Sequence, residues 1–328
     1  MLKRGAIGID IGGTKTRAAL FDDKFVVQSE DKIKTHAEKD LRFFKHNLKT
    51  MMSNLRLAAK EKNINVVATG AGCAGEIDRH TGTVINSSIP FLKGFELSAF
   101  LSKQLGVPSI IGNDVHLGLY GEHRLGAAVG LKHVLGVFFG TGLGGAMIIN
   151  GELYYGASNQ AGNIGHYLVA PIGPLTGSER DGILNDFVSC SALAGMAATL
   201  AAHQKAPYLF KTAGANVSEI RSSTLAAAIK NGDKEIKALV HSRARMAGVV
   251  LSNIVDLFNP EMVLLGGGLV EAMPVLYLKE VETGIRENSV SILQKTFKVA
   301  VAKLKQHAVT SGAARMAWDR LVGNSSAS

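Results

Sequence analysis

Cysteine is almost absent: Cys73 and Cys190 are the two in 328 residues. They lie far apart, so no disulfide framework is expected and a reducing compartment fits. Long apolar runs are missing too. The run after Lys3 and Arg4 meets Asp10 too soon for a signal-peptide core or a membrane span. The chain is therefore expected to be cytoplasmic, with no membrane partner. Basic residues never gather into a block. Lys and Arg number 36 against 27 Asp and Glu, a net charge of +9, which suits a phosphorylated or polyanionic partner. Without a basic block or interleaved aromatics, nucleic acid is not expected as that partner. Nor does any low-complexity linker divide the chain. Hydrophobic residues make up 46% and charged residues 19%, with 37 glycines, a composition that excludes a disordered or collagen-like chain. At ~150 residues per domain the length suggests two domains.

Residues 6–11 are apolar and rich in Ile, Gly12-Gly13-Thr14 turn the chain, and 16–21 read as a second strand. Residues 25–33 can supply a third. A helical period runs over 37–62 through Leu41, Phe44, Leu48, Met51, Met52 and Leu55. Strands at 66–74 and 109–111 follow, and Gly112-Asn113-Asp114 leads into a helix over 115–125 with Asn113 or Asp114 as its cap. The opening then repeats: strand 134–139, glycine turn 140–145, strand 146–150. Two similar hairpins suggest an internal duplication. Helices are expected over 187–202 and 236–258, then a strand over 262–265 running into Gly266-Gly267-Gly268, with a helix from Leu269. The last helix, 310–322, precedes a small polar tail, 323–328.

Glycine turns let backbone N–H groups face a phosphate with no Cβ in the way. Gly140-Thr141-Gly142-Leu143-Gly144-Gly145 formally matches the G-x-G-x-x-G dinucleotide fingerprint, which requires a helix directly after the glycines. Ala146-Met147-Ile148-Ile149 is β-rich instead, so an NAD-dependent oxidoreductase is disfavoured. A P-loop is disfavoured as well, because no Gly-Lys-Ser or Gly-Lys-Thr ends any of the runs. A single glycine run is most simply a tight hairpin. Two phosphate-type hairpins, a strand ending in three glycines and an Asn-Asp at a strand end together point to a nucleotide cleft between duplicated halves.

Ile9-Asp10-Ile11-Gly12-Gly13-Thr14-Lys15 resembles the first phosphate motif of the ROK family of bacterial sugar kinases and repressors. Other motifs come in family order. Ala74-Gly75-Glu76-Ile77-Asp78 resembles its sugar-side turn, Gly112-Asn113-Asp114 its catalytic segment, residues 140–145 its second phosphate motif, and Ala161-Gly162-Asn163-Ile164-Gly165-His166 its signature loop. Asn259-Pro260 with the three glycines after it resembles its adenosine-side element. The resemblance implies an α/β, two-lobed actin-like ATPase fold of duplicated ribonuclease H-like halves. The smaller lobe would be 1–117 plus 310–328 and the larger 118–309. The motif starts almost at once, with no helix-turn-helix ahead of it, which favours the kinase branch.

That resemblance implies ATP-dependent phosphorylation of a hexose, glucose by default, with Asp114 as general base. Phosphoryl transfer asks a protein for positioning, charge neutralisation and removal of one proton. Asp10 would hold Mg²⁺ through water near the phosphates. Gly12, Gly13, Thr14, Thr141, Gly142, Gly144 and Gly145 would donate to the triphosphate, and Gly267 and Gly268 would let adenosine approach. Gly75, Asn113, Asp114, Asn163, His166 and Asn185 would line the sugar pocket. The expected partners are a small-molecule sugar and Mg-ATP, and a homodimer is expected.

Two departures from the family pattern stand out. Asn163 and Asn185 occupy positions where the family carries Glu, so two acceptor-only anions become neutral amides. Plain glucose would then bind less tightly, and an acidic or substituted sugar would meet less repulsion. The family's cysteine-rich zinc segment would fall at 176–183, where Thr176, Ser178 and Ile183 stand, so no zinc is expected. His116 and His123 read as surface histidines. The rival reading is a non-catalytic, sugar-sensing regulatory protein of the same fold, motivated by the two lost carboxylates.

Overall fold

Alternation decides the first strand, β1 (Lys3–Ile11): Ile7, Ile9 and Ile11 are buried on one face, and Ala6, Gly8 and Asp10 belong to the other. β2 (Lys15–Asp22) returns antiparallel after the glycine turn, and β3 (Val27–Lys34) pairs antiparallel with it. Helix α1 (Leu41–Glu61) begins later than its apolar spacing suggests, because Asp40 caps it by accepting the Phe43 N–H at 2.8 Å. Its buried stripe is Phe44, Leu48, Met51, Met52, Leu55 and Ala59, and each large side chain in it contributes about 1.5–3 kcal/mol on burial. The computed structural model describes residues 2–170 and 181–322. The tail 323–328 and the positions Thr176 and Ser178 of the expected zinc-free segment lie outside the described residues.

β4 (Ile64–Cys73), the short hairpin β5 (Glu76–Asp78) and β6 (Thr83–Asn86), α2 (Leu97–Leu105), β7 (Ser109–Asn113) and α3 (Asp114–Leu125) follow. The first sheet has the order β3-β2-β1-β4-β7, with β1, β4 and β7 parallel. Leu97, Leu101 and Leu105 of α2 and the α1 stripe share one core with Ile7, Ile9 and Ile11.

The second run of strands is β8 (Val134–Phe139), β9 (Leu143–Ile149) and β10 (Glu152–Tyr154). Helices α4 (Asn185–Val188), α5 (Cys190–Ala202), α6 (Pro207–Ala213), α7 (Ser222–Lys230) and α8 (Lys234–Phe258) lead to β11 (Met262–Gly266), α9 (Gly268–Ala272), α10 (Pro274–Asn288) and β12 (Lys298–Val301). The sheet order β10-β9-β8-β11-β12 repeats that of the first sheet, and so do the strand senses: two antiparallel pairings, then two parallel ones. This is the internal duplication expected from the paired hairpins, and it has the ribonuclease H-like halves that the family resemblance implied. Leu135, Val137, Phe139, Val263 and Leu265 of the sheet share a core with Leu193, Leu225, Leu251 and Tyr277 of the helices.

Helix α11 (Ala308–Leu321) returns to the first sheet and covers its Gly8 face. A Cβ on Gly8 would lie 1.8 Å from the Thr310 carbonyl oxygen, so the helix rests on bare strand backbone. The chain divides into a first unit of Met1–Gly130, Gly156–Gln160 and Gln306–Ser328 and a second of Leu131–Tyr155 and Ala161–Lys305. All of α3 belongs to the first.

Several local expectations need correction. Residues 187–202 are not one helix, because Ser189 is extended, ends α4 and caps α5 through an Oγ that accepts the Ala192 N–H at 3.2 Å. The second glycine turn is shorter than 140–145: β9 already begins at Leu143. The helix after the three glycines stops at Ala272, where Met273 and Pro274 start another. His116 and His123 are 7% and 5% exposed, not surface residues, since α3 is buried along most of its length beneath α11. Among the described residues no helix is long and apolar enough to cross a membrane.

Candidate active site

In the first unit the parallel strands β1, β4 and β7 end side by side. Their register pairs Asp10 with Gly72, Ile11 with Cys73, Gly72 with Gly112 and Cys73 with Asn113. Asp10, Asn113 and Asp114 therefore gather at the carboxyl ends of the strands, where open α/β sheets bind ligands. The Gly12-Gly13-Thr14 turn closes beside them through Gly12 N–H to the Lys15 carbonyl at 3.1 Å, and Gly13, Thr14 and Lys15 are exposed.

Asn113 holds two elements at once. Its Oδ1 accepts the N–H groups of Val115 and His116 at 2.9 and 3.2 Å, which makes it the cap of α3. Its Nδ2 donates to the Gly75 carbonyl at 3.1 Å. Gly75 has φ +130°, a left-handed conformation that only glycine adopts readily, and a Cβ there would lie 2.1 Å from the Asn86 carbonyl oxygen. The sugar-side turn is thus tied to the start of α3 by a side chain.

Asp114 is the first residue of α3, and its Oδ1 accepts the Val115 N–H at 2.9 Å. Both Asp10 and Asp114 keep part of their surface accessible, yet their carboxyls sit deep among protein atoms. Burial pushes the Asp114 carboxyl above the ordinary carboxylate range, with the Val115 N–H pulling the other way. Asp10 is pushed up to about 7, first by burial and then by the charge of Asp114, while Arg17 opposes the rise. Cys73 is a free, buried thiol pushed up to about 12 by burial and both aspartates, hence inert.

Two carboxyls held under excess negative charge form a hard-oxygen donor set that suits Mg²⁺, which keeps waters and takes one or two carboxylates. Among the described residues no group of three or more His, Cys, Asp or Glu could hold a metal.

In the second unit the turn after β8 closes through Gly140 N–H to the Gly142 carbonyl at 2.9 Å. The first residues of α5 strap it: Cys190 N–H reaches the Gly140 carbonyl at 3.0 Å and Ser191 N–H the Thr141 carbonyl at 3.2 Å. Asn185 Oδ1 accepts the Leu143 N–H at 2.9 Å. Gly144 and Gly145 are strand residues, and Gly145 leaves room for the Gly162 carbonyl of the signature loop. Asn163 and His166 are exposed on that loop, on either side of a short turn closed by His166 N–H to the Asn163 carbonyl at 3.0 Å. Gly267 lies against the backbone of Phe139, directly before the glycine turn, and Gly268 begins α9 beside Ser222.

Sequence reasoning missed Thr16, Thr35 and Arg17. Thr35 donates to the Gly12 carbonyl at 2.6 Å, takes its own N–H to the Thr14 carbonyl at 3.1 Å, and meets the buried Thr16 hydroxyl at 3.0 Å. It clamps the first glycine turn from the far end of β3. Arg17 faces Asp10 across the β1–β2 ladder. The odd polar run at the end of β3 and the Arg within a strand were the available signals.

A glucokinase of Streptomyces coelicolor is 28% identical to the chain over 267 residues, 80% of this chain and 81% of that enzyme. A xylose repressor of Caldicellulosiruptor bescii is 27% identical over 251 residues, 76% of this chain and 62% of the repressor. The crystal structure of a ROK family glucokinase from Streptomyces griseus, in complex with glucose and AMPPNP, matches with a TM-score of 0.83 at 28% identity, over 95% of this chain and 99% of that one. The fold is the actin-like ATPase fold of these glucokinases. The ROK family pattern itself matches residues 6–320, from β1 through nearly all of α11, and the chain belongs to that family.

Proposed function

We propose that this chain transfers the terminal phosphoryl group of ATP to a hexose hydroxyl. The observation that carries the reading is the pair Asp10 and Asp114 at the strand ends, beside an exposed glycine turn. Asp114 takes the proton of the acceptor hydroxyl. Its elevated proton affinity makes it a stronger base than a free aspartate, and its place on the first turn of a capped helix fixes the carboxylate. Asp10 is the residue that would hold Mg²⁺ through water, and Mg²⁺ when bound neutralises the charge that develops on the transferred group. The first glycine turn at Gly13 and Thr14 and its counterpart at Thr141 and Gly142 present N–H groups to the phosphates, Gly12 shaping the first turn with its own N–H on the Lys15 carbonyl, and Gly267 and Gly268 lie on the adenosine side. Gly75, Asn113, Asn163 and His166 offer hydroxyl partners for the sugar. The related glucokinases and the complex with glucose and AMPPNP support this assignment.

A coupled assay of ADP release across neutral hexoses, amino sugars and sugar acids tests it. Turnover stimulated by at least one of them is expected; sugar or nucleotide binding with no stimulated turnover would instead support the regulatory reading, which the relatedness to a xylose repressor keeps in view.

Asn185, expected in the sugar pocket, also has a part in shaping the nucleotide side. With its Oδ1 on the Leu143 N–H, it positions the second glycine turn. Asn185→Ala leaves that N–H without its acceptor, a loss of about 1–1.5 kcal/mol. The KM for ATP is expected to rise about tenfold with the sugar KM little changed; a selective rise in the sugar KM would return Asn185 to the sugar pocket.

A further inference from the structure

The first unit carries a concave site that none of these roles uses. It is a half-open groove of about 400 Å³ on the α11 side of the β2–β3 ribbon, lined among others by Arg17, Glu30, Lys32, Gln306 and Thr310. The ladder registers pair Asp10 with Arg17 and Arg17 with Lys32, so the three stand in one row on one face of the sheet. Two cations directly opposite each other in a ladder repel. The Arg17 guanidinium uses Nη1 to donate to the Gln306 Oε1, and the rest of its donor fork makes no other hydrogen bond among the described residues. The Lys32 ammonium has no hydrogen-bond or ion-pair partner among the described residues. The neighbouring Asp31 carboxylate is already engaged, by Asn54 Nδ2 at 2.8 Å and by the Lys32 N–H at 2.7 Å.

A guanidinium fork beside an ammonium matches the oxygens of a tetrahedral dianion. The groove is larger than inorganic phosphate needs and falls in the volume range of small-molecule sites. Its remaining polar groups suit hydroxyls: the Gln306 amide, and the Glu30 carboxylate two residues from Lys32 along β3, roughly 7 Å away. Glu30 is opposite Ala19 in the next row, set apart from the cationic pair, and its one ionic neighbour among the described residues is the His307 Nε2 at 3.9 Å.

We propose that this groove binds a phosphate monoester of a small polyol, the phosphate on Arg17 and Lys32 and the hydroxyls on Glu30 and Gln306. Arg17 lies between the groove and Asp10, so occupancy draws on the same guanidinium that faces the strand-end carboxyls. The ligand thus occupies a groove of its own beside the strand-end site. The groove belongs to the first unit alone, and its ligand chemistry is independent of which reaction the strand ends perform.

Isothermal titration of the full chain, with ADP, Mg²⁺ and a hexose held in excess to occupy the strand-end site, tests the proposal with three probes: a hexose 6-phosphate, the same hexose beyond that excess, and inorganic phosphate. The hexose phosphate is expected to bind at a site that remains open, at least tenfold more tightly than inorganic phosphate, while the hexose gives no further heat. Lys32→Gln, a change at an exposed strand position, is expected to weaken that binding at least tenfold. Absence of a remaining site, equal affinity for inorganic phosphate and the ester, or unchanged affinity in Lys32→Gln would each overturn it. Because the readout is binding and not turnover, a chain that proves to have no kinase activity still decides whether the groove takes the ester.

Discussion

Asp114→Asn will lower sugar-dependent turnover by about 10²–10⁴, the usual worth of a positioned general base, while ATP and sugar affinities stay within about threefold. The substitution is nearly isosteric. Its amide oxygen can keep the Val115 N–H bond, and the α3 cap is supplied by Asn113, which is untouched. What is removed is a carboxylate whose proton affinity burial has raised. Because the interaction acts on the proton leaving in the transition state, kcat and kcat/KM should fall together. Wild-type kcat should climb with pH as Asp114 loses its proton, and the variant should lack that limb. The variant should also fold at least as well, since a buried charge has been replaced by a neutral group. Steady-state kinetics of both proteins across pH check this; a variant within tenfold of wild type would leave Asp114 as an ordinary first-turn helix residue.

Asp10→Asn will be close to inactive and yet melt at a higher temperature than the wild type above pH 7. In the unfolded chain the carboxyl ionises near 4. In the folded chain burial and the neighbouring Asp114 hold it protonated until about 7. The folded state keeps its full advantage below the lower value and loses it steadily as pH rises through the upper one. A rise from 3.8 to about 7 corresponds to on the order of 4 kcal/mol, at ~1.4 kcal/mol per tenfold. Asn carries no such dependence. Thermal melts from pH 4 to pH 8 should show the wild type falling relative to the variant, by several degrees at the alkaline end. Added Mg²⁺ should restore the wild type and leave the variant unmoved, because a dication offsets the crowding of two carboxylates. Parallel melting curves for the two proteins would contradict the electrostatic picture of the strand ends. Activity and stability pull in opposite directions at this residue, as expected where charge is concentrated for chemistry.

The hairpins were legible because their signals are local. Ile7, Ile9 and Ile11 alternate with small residues, and glycines follow at once; the same grammar recurs at 134–149, so the duplication could be read from two short stretches. A cap at Asn113 or Asp114 was readable for the same reason, and Asn113 is the one whose side chain accepts from the residues two and three positions on. Contacts made over distance were not. Thr35 reaches Gly12 across 23 residues and Asn185 reaches Leu143 across 42, and no periodicity announces either. The split at Ser189 was hidden because Phe187, Val188 and Cys190 keep the apolar spacing through the break, whereas the cap that ends one helix and starts the next is a single hydroxyl. His116 and His123 look like surface residues until α11, almost two hundred residues later in the chain, is laid over α3. Arg17 acquires its meaning only from strand register, which sets it against Asp10 on one side and Lys32 on the other.

The proposed reaction makes a phosphate ester, with the proton of the acceptor hydroxyl removed by Asp114. Phosphorus-31 spectra of the purified chain with Mg-ATP and the hexose that best stimulates ADP release test it most directly. A monoester resonance is expected to grow in step with the ADP signals, one ester per ATP consumed, and to be slowed at least a hundredfold in Asp114→Asn at saturating substrates. Free phosphate appearing in place of the ester, or an ester formed equally fast by the variant, would contradict it.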